Sequence, residues 1–536
     1  MTRNIGSLGA TLIVLSACLT GTAWAAPPPG FDTRVVEAMQ ANDVPGMGIS
    51  IVEDGQVVLA KGYGVRRMGS AEAVDADTIF PTGSTGKAVT AAALAILVDE
   101  GKLAWDDKVI DHLPEFRMHD PWVTREMTIE DLLVHRSGLG LGAGDLLFVP
   151  RSSRSRGDIV RALRNIKPAT SFRGNYAYDN ILYIVAGEVV AAASGQSYES
   201  FIDERVFAPA GMASSVSDEK DRFATPNRVQ PQARLDPRLR GLGRQQALPE
   251  REGLGQVGAA AGGLSSSAND LGRWLQVQLA RGALPGGQGT RLYSEAAARA
   301  MWTPRIPVPI ASYPAPIFDI TPQFSNYALG WNVQDYRGVK VVQHGGAVFG
   351  VLTFIVMVPE RNLGISLQIN SEDVGVMRGL GYELLDHYLG FEARDWVAAF
   401  DTWNRQRLDA GLALLESAGK QARKSSRPSL PVAGYAGRYA DAWYGPITIA
   451  DRAGTLRIDF EATPDMAGTL DHWHYDTFRT VWDDTSIEPA FVTFALDAEG
   501  KIARITMKPV SPLADFSYDY QDLLFVPMAE EPVTGR

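Results

Sequence analysis

Three groups of residues in this chain have the types and spacing for nucleophilic chemistry. The first is Phe80-Pro81-Thr82-Gly83-Ser84-Thr85-Gly86-Lys87, followed by AVTAAALAILVDEGKL. The second stretch is apolar almost all round, with Gly101 placed to stop it, and predicts a buried helix. Ser84 then lies at its first turn, with Lys87 three residues on along the same face. A hydroxyl is a poor nucleophile at neutral pH unless a base takes its proton. A lysine amine serves as that base only if its surroundings keep it neutral. The helix start offers N–H groups and a partial positive charge to a developing oxyanion. The other two groups are Tyr178-x-Asn180, just ahead of the apolar run ILYIVAGEVVAAASG, and His344-Gly345-Gly346.

Each group has a plainer reading. Ser84 alone is equally well a helix N-cap, with Lys87 snorkelling to the surface. Two further Ser-x-x-Lys spacings, Ser217/Lys220 and Ser417/Lys420, open no apolar helix and read as chance. Gly83-Ser84-Thr85-Gly86-Lys87 also looks like a phosphate loop. That motif needs a glycine where Pro81 stands and a hydroxyl where Ala88 stands, so nucleotide binding is not expected.

The elements that must position these residues are legible in part. Two apolar runs flank Glu53-Asp54-Gly55 and predict a hairpin. Residues 128–139 (TIEDLLVHRSGL) predict a short helix capped by Thr128 and Asp131, and His135 reads as a helix-end histidine bonded to backbone. ILYIVAGEVVAAASG is a second buried helix stopped by Gly195. Residues 221–256 carry Arg222, Arg228, Arg234, Arg238, Arg240, Arg244 and Arg251 and read as a long surface loop with mostly solvated arginines. Runs at 331–335, 339–344, 352–358 and 364–370 suit consecutive antiparallel strands. Helices are expected at about 372–389 and 394–419. Residues 420–431 form a linker, and 435–526 a separate all-β unit. His472 and His474 share a strand face there, but no third or fourth metal ligand accompanies them.

The 536 residues, 45% hydrophobic and 21% charged, are those of a globular protein of two or three domains. The net charge of −11 argues against nucleic-acid binding. No long apolar run follows the N-terminus, so no membrane-spanning segment is expected in the mature chain. Residues 1–25 read as a secretory signal: Arg3, an apolar Gly9–Leu19, then Ala23-Trp24-Ala25. Alternatively, Leu15-Ser16-Ala17-Cys18 resembles a lipoprotein box, with a lipid anchor at Cys18, the single cysteine. Either reading predicts export, to a bacterial periplasm.

FPTGSTGKAVTAAALAILVDEGKL, MTIEDLLVHRSGL, YAYDN, AGGLSSSANDLGRW, YALGW and QHGGAVFG together resemble the serine β-lactamase/penicillin-binding-protein superfamily. The likeness is to its class C β-lactamase, D-Ala-D-Ala carboxypeptidase and family VIII esterase branch. It covers about residues 30–390. It implies an α+β fold, an antiparallel sheet flanked by helices with a mostly helical subdomain, over 26–390. A helical linker at 391–430 and a small β-barrel-like domain at 431–536 would follow. It implies Ser84 as acylated nucleophile, Lys87 as proton acceptor or relay, and Tyr178 as general base and later proton donor. Asn180 would hold the substrate amide and Lys87. His344 would polarise the site and bind a carboxylate, with the backbone N–H groups of Ser84 and Ala347, after a His-Gly-Gly turn, as oxyanion hole. Gly345 and Gly346 let that backbone approach the substrate. Lys87 and His344 would supply the positive charge a phenol needs to act as base. No metal and no cofactor is implied.

Two departures from the family pattern bear on substrate. Asp179 stands between Tyr178 and Asn180, and Gly345 removes a hydroxyl that would hold the carboxylate of a β-lactam or terminal D-Ala. The expected activity is therefore a peptidase or amidase on short or unusual peptides, containing D-residues or opened from cyclic ones of the microcystin kind. A family VIII-type esterase or weak β-lactamase is the alternative, and a non-catalytic peptidoglycan-binding relative the third. No Gly-x-Ser-x-Gly elbow supports an α/β-hydrolase.

Overall fold

The computed structural model describes residues 27–250, 254–287, 289–423 and 425–529. The signal segment, Cys18 and Arg251 lie outside them. Helix α1 (Phe31–Ala41) precedes the hairpin β1 (Gly46–Glu53) and β2 (Gln56–Gly64), which turns at Asp54 and Gly55, both at positive φ. Helices α2 (Lys87–Asp99), α3 (Ile129–Leu133), α4 (Ile181–Ser194) and α5 (Ala268–Leu279) follow. Strands β3 (Ile306–Pro307), β4 (Ser325–Tyr327), β5 (Asn332–Tyr336), β6 (Val339–Val348), β7 (Val351–Val358) and β8 (Leu363–Ile369) complete the first sheet. Its eight strands run in the order β2-β1-β8-β7-β6-β5-β4-β3. Every pair is antiparallel.

This sheet is covered on both faces, which is why β7 reads LTFIVMV without alternation. Ile49, Ile51, Val356 and Leu367 pack under α1, α6 (Val374–Leu389) and α7 (Trp396–Gln421). On the other face lie α5 and the helical subdomain built on α2 and α4, whose side chains are buried almost all round. Gly195 caps α4 in the left-handed conformation.

The C-terminal unit is a closed eight-stranded barrel: β9 (Gly437–Asp441), β10 (Gly445–Arg452), β11 (Thr455–Phe460), β12 (Ala467–His474), β13 (Thr477–Trp482), β14 (Ala490–Leu496), β15 (Ile502–Pro509) and β16 (Leu524–Pro527). Closure leaves no free strand edge. Residues 221–250 depart in part from the expected loop with solvated arginines: Arg238 and Arg244 are exposed, but four others are paired. Arg228 pairs with Glu250 at 2.6 Å, Arg234 with Asp373 at 3.2 Å, and the buried Arg222 with Glu219 at 2.9 Å. Arg240 pairs with Glu372 at 2.6 Å and donates to Ser486 O of the barrel at 2.7 Å. Partners distant in sequence turn this segment into a strut between the two units.

Helix α3 shows how the site's supports are fixed. Thr128 and Asp131 form the expected capping box, and Asp131 also takes Arg136 Nε at 2.7 Å and Arg173 Nη2 at 2.6 Å. Burial pushes the Asp131 carboxyl up, but Arg173, the Thr128 N–H and Arg136 overcome this and hold it low. Asp131→Ala is expected to cost about 2–3 kcal/mol, because it strips the partner from two arginines and a cap. Urea unfolding would show the loss. Since the folded carboxyl is held low, its contribution is present above the unfolded value of about 4. The contribution disappears as pH falls through the folded value.

Candidate active site

Gly83–Gly86 form a 3₁₀ turn that runs into α2 at Lys87. Residues three apart eclipse in that geometry, so Ser84 and Lys87 share one face. Ser84 is half-buried and Lys87 fully buried. Lys87 Nζ stands 3.0 Å from Ser84 Oγ, 2.6 Å from Asn180 Oδ1 and 2.7 Å from Ala261 O. Burial pulls the lysine down to about 7, with Asp145 and Asp179 opposing part of the fall. Near neutral pH a large share of the amine is therefore unprotonated.

Tyr178 lies on the segment entering α4, and Asn180 caps that helix. The Tyr178 hydroxyl is closed off from solvent and forms no hydrogen bond. Lys87 Nζ lies 4.9 Å from the centre of its ring. Burial pushes the phenol well above its ordinary value, and the nearby Ser84 hydroxyl only partly offsets this. Burial thus favours the neutral phenol in the resting site.

His344 differs from expectation as well. It sits inside β6, not ahead of a turn, since the strand runs on through Gly345 and Gly346 to Val348. Its Nδ1 lies 2.6 Å from Gly345 O, and its Nε2 lies 2.8 Å from the Tyr327 hydroxyl. A carbonyl only accepts, so Nδ1 carries the hydrogen and Nε2 accepts from Tyr327. Burial, then the charge of Lys87, pulls His344 down to about 3. The ring is neutral with both nitrogens engaged, and supplies no cation to a phenol or a carboxylate.

The strand's backbone closes on the nucleophile. Gly83 has φ +52°, and a Cβ there would lie 2.5 Å from Ala347 N. A Cβ on Gly346 would lie 2.2 Å from Thr82 O and 3.0 Å from Ser84 N. The backbone nitrogens of Ser84 and Ala347 therefore lie close to the same tight contact between turn and strand, and Ala347 is exposed beside it. At Gly345 a Cβ would lie 2.8 Å from Arg378 Nη2, whose guanidinium covers the Phe354 ring at 3.8 Å. An arginine thus stands beside the position that lacks a hydroxyl.

Among the other residues at the site, Asp145 carried no signal of its own in the sequence, while His135 makes the backbone bond expected of it. Asp145 is fully buried and takes Asn180 Nδ2 at 2.7 Å. His135 accepts from Asp179 N at 3.2 Å and packs on Tyr178 with ring centres 4.1 Å apart. A cleft of about 50 Å³ opens near Ser84, lined by Pro81, Gly262 and Val348 on one side and Ser486 and Ile487 of the barrel on the other. Among the described residues no cluster of three or more His, Cys, Asp or Glu could hold a metal, and no helix is long and apolar enough to cross a membrane. His472 turns its Nε2 to Tyr475 O at 2.9 Å, and a register shift separates it from His474.

Ser84 on a 3₁₀ turn, a buried lysine and a strand closing over both fit a fold of the penicillin-binding type. The chain belongs to the Beta-lactamase family, whose model matches residues 31–388, and a Domain of unknown function (DUF3471) matches 421–527. It is 31% identical to the unguisins hydrolase of Aspergillus campestris, over 78% of this chain and 77% of that one. It is 28% identical to the counterpart from Aspergillus violaceofuscus, over 84% and 82%. It is 29% identical to penicillin-binding protein 4 of Amycolatopsis lactamdurans, over 65% and 85%. Among solved structures it shares the fold of the octameric penicillin-binding protein homologue from Pyrococcus abyssi, with TM-score 0.57, 20% identity and coverage of 93% and 99%. It is a hydrolase of this fold with an appended barrel.

Proposed function

We propose that this protein is an exported hydrolase that cleaves amide bonds in short or unusual peptides through an acyl-enzyme on Ser84. The observation that carries the reading is the buried Lys87 amine, held near neutrality 3.0 Å from Ser84 Oγ. Neutral Lys87 takes the Ser84 proton as Oγ bonds to the carbonyl carbon. The oxyanion sits against the N–H groups of Ser84 and Ala347. As the C–N bond breaks, Tyr178 gives its proton to the departing amine and is reprotonated from Lys87. Water then attacks the ester and the same groups return the proton to Ser84.

A peptide substrate is supported by a cleft that runs between the two units, lined by Pro81, Gly262 and Val348 on one side and Ser486 and Ile487 on the other. Two relatives named unguisins hydrolases support hydrolysis as the reaction. A carboxylesterase or weak β-lactamase is the alternative, because the same acyl-enzyme serves an ester or lactam. Incubation with a fluorophosphonate followed by peptide mapping is expected to place the added mass on the peptide containing Ser84. Folded protein that stays unlabelled, or that is labelled elsewhere, would sink the proposal. Turnover of D-amino-acid anilides and linear peptides, against p-nitrophenyl acetate and nitrocefin, separates the substrate classes.

A further inference from the structure

Residues 510–523 join β15 to β16, yet they reach out of the barrel into the hydrolase unit. Asp519 accepts from Gly144 N at 2.7 Å and Leu146 N at 3.0 Å. Gly142, at φ +69°, lies so close beneath Phe516 that a Cβ would stand 2.6 Å from Phe516 O. Phe516 meets the Tyr178 ring edge-on with centres 5.8 Å apart. Between these holds, Ser517 Oγ donates to Asp145 Oδ2 at 2.8 Å. The same Oδ2 accepts Asn180 Nδ2 at 2.7 Å, and Asn180 Oδ1 faces Lys87 Nζ at 2.6 Å. Asp145 Oδ1 has no hydrogen-bond partner, so the carboxyl is held by these two contacts on one oxygen.

We propose that Asp145 and Ser517 are positioning residues of the hydrolase site, through which the barrel sets the orientation of Asn180 and the surroundings of Lys87. The proposal rests on Ser84 and Lys87 acting as described above. An amide can turn over and exchange its oxygen and nitrogen. An ionised carboxylate only accepts, so Asp145 commits Asn180 Nδ2 to itself and leaves Oδ1 for the lysine. With Asp145 absent or protonated, Asn180 is free to present Nδ2 to Lys87, donor against donor. Burial pushes the Asp145 carboxyl up to about 7, and Asn180 and then Ser517 favour the ionised form by donating to it, so the carboxylate is present in the upper part of the pH range. Asp145 in turn holds Lys87 higher than burial alone would. The ionisable groups facing Lys87 are Asp145, Asp179, Tyr178, Tyr183, His135 and His344. Those facing Asp145 are Lys87, Asp515 and Asp519.

The sign follows from these couplings. Ser517→Ala removes a hydrogen bond to the ionised carboxylate, so Asp145 is protonated more easily and Lys87 loses part of its supporting charge. The lysine then loses its proton at lower pH, and the acidic limb of the rate profile moves down. The test is the second-order rate of fluorophosphonate labelling of the full chain between pH 5 and 9. Ser517→Ala is expected to label about 5–20-fold more slowly on the plateau, with its acidic limb about half a unit lower. Ser517→Thr, which keeps the hydroxyl, restores both. Asp145→Asn, of the same shape, moves the limb further, by about one unit. An unmoved limb in Ser517→Ala and Asp145→Asn, both with wild-type melting temperatures, overturns the proposal; so does a loss that Ser517→Thr fails to restore. Wild-type protein that never labels at Ser84 overturns the hydrolase reading itself, which separates the two failures.

Discussion

Lys87→Met is expected to slow acylation of Ser84 by about 10³–10⁴-fold, the scale of losing a positioned general base. Methionine matches the reach of the lysine stem and suits a site with no solvent access. Its cost to the fold lies in Asn180 Oδ1 and Ala261 O, each left without the amine that now faces it. Each unpaired acceptor costs about 1–3 kcal/mol. The opposing gain is that no amine need be desolvated, so folded variant should be recovered and the deficit read as chemistry. In the wild type, activity should rise with pH through about 7, because the base must be unprotonated and burial has brought its value there. That limb should vanish in Lys87→Met. Retention of more than a tenth of the wild-type rate would show that another group deprotonates Ser84, and the neutral Tyr178 would have to be reconsidered first.

The pattern of what the sequence revealed follows the range of the forces involved. The hairpin at Asp54-Gly55, the capping box of Thr128 and Asp131, and the Gly195 stop depend on residues within a few positions of one another. Ser84 and Lys87 belong to this class, since one helical turn brings them together. The strands of the sheet followed from runs of apolar residues whose period is local, whereas the fold class rested on the resemblance of several motifs to a known family. Charge state was not legible. It depends on burial, which the whole fold decides: burial holds His344, expected as a cation, neutral, and raises the Tyr178 phenol that was expected to act as base. Arg234 and Arg240 were misread as solvated for the same reason: Arg240 finds Glu372 more than a hundred positions away. Asp145 and Ser517 are 372 positions apart, in different units, and no period or motif ties them.

The second large effect expected is at Tyr178. Tyr178→Phe keeps the ring that packs on His135 and Phe516 and that Lys87 faces, and removes one hydroxyl that forms no hydrogen bond in the resting site. The fold should be nearly indifferent to the change, with a melting temperature within a degree or two. For an anilide or peptide, kcat is expected to fall about 10²–10⁴-fold with KM little altered, because an amine cannot leave without a proton. For a p-nitrophenyl ester the leaving group departs as a stable anion and needs none, so the loss should be tenfold smaller or less. This contrast is what a neutral, buried phenol demands: it has a proton to give and no charge with which to take one. Equal losses on both substrates would place Tyr178 at the attack of Ser84 instead, and would require a phenolate in a site whose burial opposes it.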